Sequence, residues 1–227
     1  MIATATFTAV RFGGIEARRL QAEVDQLEQE RQRLLDYARR LGTSRRVAQV
    51  DVVKQRVNDR GETVSTLLWQ EIGRDGTLGR PLAVEAVGEL VYFESLVIKF
   101  QAHFVGEGDP QRGASLAMFR RIFGECQAPD SVPELDRRAR PPLGQVERDD
   151  PLQAELWQRF WEMVDDPHLA EEYGVRVAQC EAPAVPLQAG QVWELTLDAA
   201  GGLNLRRIAD GAGAVRSTVP EITRQMP

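Results

Sequence analysis

The sequence predicts an α+β fold: an N-terminal coiled-coil-type helix followed by an antiparallel β domain with two packed helices. Three observations carry this expectation. Leu20, Leu27, Leu34 and Leu41 stand seven residues apart, which sets them on one stripe of an α-helix. From Arg46 onward the apolar period changes to alternation, with β-branched residues over 47–57 and 63–72. Helical spacing returns at 111–123 and again from Pro151. The chain is thereby divided into a segment 1–14, a helix 15–42, an α+β domain 43–208 and a mobile tail 209–227.

The first helix is expected over 15–41, with Gly13-Gly14 before it and Gly42 as its stop. In its heptads Ala17, Val24, Arg31 and Ala38 take the a positions and the four leucines the d positions. Glu16, Glu23 and Glu30 fall at g, and Gln21, Glu28 and Leu35 at e. A parallel in-register pair would set Glu23 against Glu28 of a second chain, and Arg31 is a poor seam residue. Leu35 and Tyr37 widen the stripe near its C-terminal end, which suits a bundle or the chain's own β domain. The expected interface residues are Leu20, Val24, Leu27, Arg31, Leu34, Ala38 and Leu41.

The β domain opens with a hairpin, since Asn58-Asp59-Arg60-Gly61 separates the two alternating runs. Its second run carries apolar residues on both faces, with Val64, Leu68 and Ile72 on one and Leu67 and Trp69 on the other. Arg74-Asp75-Gly76 marks another turn, and Gly79-Arg80-Pro81 breaks the chain again. The longest strand pattern covers 90–105, with Glu94 interrupting its apolar face. A helix is expected over 111–123, burying Leu116, Phe119, Ile122 and Phe123. Proline and charge over 128–150 read as a linker. A second helix starts at Pro151, buries Leu152, Leu156, Phe160, Met163 and Val164, and ends at Pro167. The C-terminal part returns to strands at 175–178, 193–198 and 203–208, the last two joined by Ala199-Ala200-Gly201-Gly202.

Composition restricts the function classes. A net charge of −6 over 227 residues argues against nonspecific nucleic-acid binding, which needs a basic surface. The arginine clusters at Arg18-Arg19, Arg39-Arg40, Arg45-Arg46 and Arg137-Arg138-Ala139-Arg140 therefore read as solvated surface. No run reaches the roughly 20 apolar residues of a membrane-spanning helix, and residues 1–10 lack the pattern of a signal peptide. The literal reading is a soluble cytoplasmic protein. The alternative is the soluble part of an envelope protein that has lost a membrane anchor, because a short apolar segment runs straight into the heptads.

Motifs for chemistry are weak. Cys126 and Cys180 are too far apart for a metal or redox pair and read as two reduced thiols. With His103 and His168 as the only histidines, no metal site and no cofactor are expected. The acids around His168, namely Asp165, Asp166, Glu171 and Glu172, read as a helix end. Gly106-Glu107-Gly108-Asp109 lacks the Lys-Ser/Thr element of a phosphate loop and reads as a strand-to-helix turn. Glu94 reads as a partnered structural acid, and Trp157, Trp161 and Trp193 as packing residues. The expectation is a non-enzymatic assembly or adaptor protein. Its helix would self-associate or dock on a protein partner, and its β domain would bind a partner. The competing expectation is an enzyme or small-molecule binder with a site near Glu94, His103 or His168.

Overall fold

The computed structural model describes residues 2–73, 76–135 and 151–210, with side chains described from Arg18 onward and not for Gln153. Helix α1 spans Ile2–Leu41. It begins earlier than residue 15 and takes Gly13 and Gly14 into its backbone, where each interior glycine costs only about 1 kcal/mol. Gly42 ends it, donating its N–H to the Ala38 carbonyl at 3.1 Å. Arg39 and Arg40 lie in the last turn, where cations suit the negative pole of the helix.

Strand β1 (Ser44–Val57) follows after two residues and pairs antiparallel with β2 (Thr63–Glu71). The turn between them forms at Asn58, whose side-chain Oδ1 accepts the N–H groups of Arg60 and Glu62. Gly61 takes φ 79° there, a conformation that favours glycine. Strand β3 (Leu82–Val87) pairs with β2 and has no counterpart in the sequence expectation. The remaining elements are β4 (Leu90–Phe100), α2 (Ala102–Glu107), β5 (Leu116–Gly124), α3 (Pro151–Gln158), α4 (Phe160–Asp165), α5 (Pro167–Glu172), β6 (Val175–Glu181), β7 (Ala184–Pro186), β8 (Val192–Asp198) and β9 (Leu203–Ala209).

The strands form two antiparallel sheets. One has the order β3-β2-β1-β8-β9; the other has β5-β4-β6, with β7 also pairing on β4. Residues of both sheets meet in one core, among them Val50, Leu67, Trp69, Phe93, Val97, Phe119 and Leu195. The opposite face of the second sheet, through Leu96, Ile98, Phe100, Leu116 and Met118, packs on Leu156, Trp157, Phe160 and Met163. The body is thus two sheets and a layer of short helices. Strand β4 is central and buried on both faces, as its unbroken apolar run requires.

Several expectations are corrected. The segment 111–123 is a strand for most of its length. Its helix-like spacing comes from a β-bulge: Glu94 pairs with Arg121 but Ser95 pairs with Phe119, so Arg120 is the extra residue. The bulge places Phe119 and Ile122, three residues apart, on one face, which mimics a helical period. The strand expected over 90–105 stops at Phe100, and its last residues form α2, capped by Gly108 at φ 75°. Gly106 and Glu107 therefore end a helix instead of leading into one. Pro167 begins α5, behind Asp166, whose carboxylate accepts the N–H groups of His168 and Leu169. The helical segment from Pro151 is three short helices, and Val164 is exposed while the rest of its expected face is covered. Arg74, Asp75, the linker from 136 to 150 with its arginine cluster, and the tail from 211 lie outside the described residues.

Candidate interaction surface

Among the described residues, helix α1 joins the body at its C-terminal end. All side chains from 18 to 35 are exposed. Leu20 is 57%, Val24 46%, Leu27 59% and Leu34 63% exposed. These residues and the exposed Arg31 and Ala38 occupy one heptad stripe that the described residues leave open. Leu41 is different, since it is half-buried against the core between the second sheet and the short helices.

Besides Leu41, Tyr37 and Arg40 hold the joint, and Thr43 closes the helix end. The Tyr37 ring lies where a Cβ on Gly106 would fall, so the absent side chain lets α1 and α2 touch. The Arg40 guanidinium donates to the carbonyls of Gly106 at 3.0 Å and Glu107 at 2.7 Å. Those carbonyls end α2 and lack partners within the helix, so a cation there supplies hydrogen bonds and opposes the dipole. Thr43 Oγ1 donates to the Arg39 carbonyl at 3.1 Å, and β1 starts at the next residue. Where the two helices diverge, a groove of about 570 Å³ opens over Tyr37 and Gly106, with Glu30, Arg33 and Leu34 on its rim.

The residues of the competing site expectation are scattered. Glu94 is 8% exposed on β4. The bulge in β5 turns two arginines onto it: Arg120 Nη1 donates to Oε1 at 3.1 Å and Arg121 Nη1 to Oε2 at 3.5 Å. Glu134 bridges the same two arginines, and Arg121 also meets Asp130. Both carboxylate oxygens of Glu94 are engaged, as a buried charge requires. Cys180 Sγ donates to Glu94 Oε1 at 3.7 Å. Desolvation, and then the Glu94 charge, push the Cys180 thiol up, away from a reactive thiolate. Cys126 is also raised, by desolvation and by Glu62 and Glu125.

His103 is exposed on α2 beside the Phe104 ring, and His168 is exposed at the start of α5. Among the described residues no group of three or more His, Cys, Asp and Glu side chains is placed to hold a metal. No helix among them is long and apolar enough to cross a membrane. Trp157 is buried, Trp193 is half-buried and Trp161 is exposed, with the Arg120 guanidinium 5.9 Å over the Trp161 ring.

Sequence reasoning missed the joint and the arginine pair. A tyrosine three residues after Leu34 and a glycine in an apolar run carry no signal that they meet. Arg120 and Arg121 fall in the segment expected as a helix. The bulge that turns them onto Glu94 shows only in the pairing register. The chain matches no family model, no curated protein and no solved structure.

Proposed function

We propose that this chain is a non-enzymatic assembly or adaptor protein that docks through the leucine stripe of α1. The observation that carries this reading is the exposure of Leu20, Val24, Leu27 and Leu34 on a helix fastened to the body at one end. Fully burying a leucine stabilises by about 1.5–3 kcal/mol, so a free stripe of this length strongly favours a covering partner. Scattered apolar residues on a surface mean little, but a continuous heptad stripe is a coiled-coil seam. The Arg40 and Tyr37 contacts set the direction in which the stripe points, so α1 works as an arm of defined orientation. In this reading the β body is a second contact surface for a protein partner.

The competing reading, a binder or enzyme at Glu94, His103 or His168, has less support. Glu94 is engaged by Arg120 and Arg121, and both histidines are exposed on other elements. The test is light scattering on the full chain and on a chain starting at Gln32. That truncation removes most of the stripe but keeps Tyr37, Arg40 and Leu41 on the body. The expected result is an assembly for the full chain and a monomer for the shorter one. The same number of copies for both would remove the case for the stripe.

A further inference from the structure

Helix α1 changes character along its length. One helix runs through Ile2–Leu41, so the apolar segment before Gly13-Gly14 and the heptads after it share an axis. Residues 16–41 include twelve charged residues, whereas residues 2–15 include Arg11 alone. This tip does not continue the leucine stripe. In the same heptad frame the a and d positions before Ala17 are Gly13, Val10, Thr6 and Ala3, mostly small or polar. The large apolar residues Ile2, Phe7, Phe12 and Ile15 fall instead at g, e, c and f. A helix that is apolar around most of its circumference needs an apolar medium around it, either the core of a large protein or a lipid bilayer. The described body is fastened at the other end of α1. The exposed run from 18 to 35 separates the two, and that run alone is about 26 Å of helix.

We propose that the tip of α1, residues 2–15, inserts into a lipid bilayer with anionic headgroups, and that the charged shaft holds the β body away from that surface. This inference goes beyond the assembly reading and does not rest on the leucine stripe. Three features favour lipid over a protein groove. A groove covers one stripe of a helix, while acyl chains surround it. Residues 2–10 carry no charged side chain over about 14 Å of helix, close to half of a hydrocarbon core of about 30 Å, so their length suits one leaflet. Basic residues follow at once, with Arg11, Arg18 and Arg19 against the single acid Glu16. Arginine reaches from an apolar segment to the headgroups along its own aliphatic stem, and each such cation adds attraction to an anionic surface. The next acids, from Glu23 onward, lie further along the shaft.

The experiment is flotation of the full chain with vesicles of phosphatidylcholine and phosphatidylglycerol in equal parts, beside vesicles of phosphatidylcholine alone. The wild type should float with the mixed vesicles and less with the neutral ones. The variant Phe7→Glu, Phe12→Glu should lose the lipid band, because each acid would carry charge into the apolar layer, and should keep the melting transition of the β body. The variant Arg18→Gln, Arg19→Gln should float less than the wild type on mixed vesicles and equally on neutral ones. The variant Leu27→Asp, Leu34→Asp should still float, which separates this inference from docking through the stripe. A wild type that stays below both kinds of vesicle would overturn the proposal, as would flotation of the Phe7→Glu, Phe12→Glu variant equal to that of the wild type. Equal flotation of the wild type on mixed and neutral vesicles would overturn the anionic headgroup as ligand. If the full chain ignores lipid and Phe7→Glu, Phe12→Glu lowers its solution mass, the tip is covered by protein and the proposal is wrong.

Discussion

Tyr37 of α1 occupies the space that a side chain at position 106 of α2 would need. The two residues are far apart in sequence, and their contact holds the arm to the body together with Arg40.

Gly106→Ala should therefore loosen the joint. Overpacking of this kind costs about 1–3 kcal/mol, read as a lower thermal midpoint and faster amide exchange in the last turns of α1. The same substitution in a Tyr37→Ala background should cost far less, because the ring that it meets is gone. Equal costs in both backgrounds would show that the glycine is needed for some other reason.

Glu94→Gln should be costly without any change in shape. It removes the charge that faces Arg120 and Arg121 in a mostly covered site. Breaking a buried pair costs on the order of 3 kcal/mol or more, with Glu134 and Asp130 holding the effect near the lower end. The denaturant midpoint should fall with an unchanged slope. Alkylation of Cys180 should quicken in the variant, since the Glu94 charge helps to hold its thiol up.

Glu181 links the two sheets. It meets Lys99 Nζ of β4 at 2.7 Å and accepts the Leu203 N–H of β9 at 3.0 Å. Burial raises its pKa, but the hydrogen bonds from Lys99, Leu203 and Gln179 and the Lys99 charge outweigh burial, and the net shift is downward. A carboxyl held below its unfolded value stabilises the fold above that value and loses the contribution as pH falls through the folded one. The stability gap between the wild type and Glu181→Gln should be full at pH 7. It should close on acidification below the ordinary glutamate value of about 4.3. A gap that does not change with pH would contradict this assignment.

The elements legible in sequence are those with local signals. The Asn58 turn fixes the β1–β2 hairpin through its own side chain, and the Gly201-Gly202 turn closes β8–β9 through backbone hydrogen bonds with Asp198. The helical character of α1 is legible for the same reason. What failed was long-range. The bulge at Arg120 imitates a helical period, and α2 continues the apolar run of β4 with nothing to mark the change. Strand β3 follows a proline-glycine break and is too short to announce itself. How much of the stripe the body covers is beyond local reading, since Leu35 and Tyr37 suit a bundle as well as the chain's own β domain. The last turns of α1 pack on the body, through Tyr37, Arg40 and Leu41.

The most direct measurement is the solution mass of the full chain beside its Leu27→Asp, Leu34→Asp variant, by light scattering, with thermal unfolding of both. Both leucines are more than half exposed, so the variant should keep the melting transition of the β body. The account predicts that the wild type exceeds the 25.4 kDa of a single chain and that the variant falls to it. A wild type at 25.4 kDa throughout the concentration range, or a variant that assembles as well as the wild type, would contradict the account.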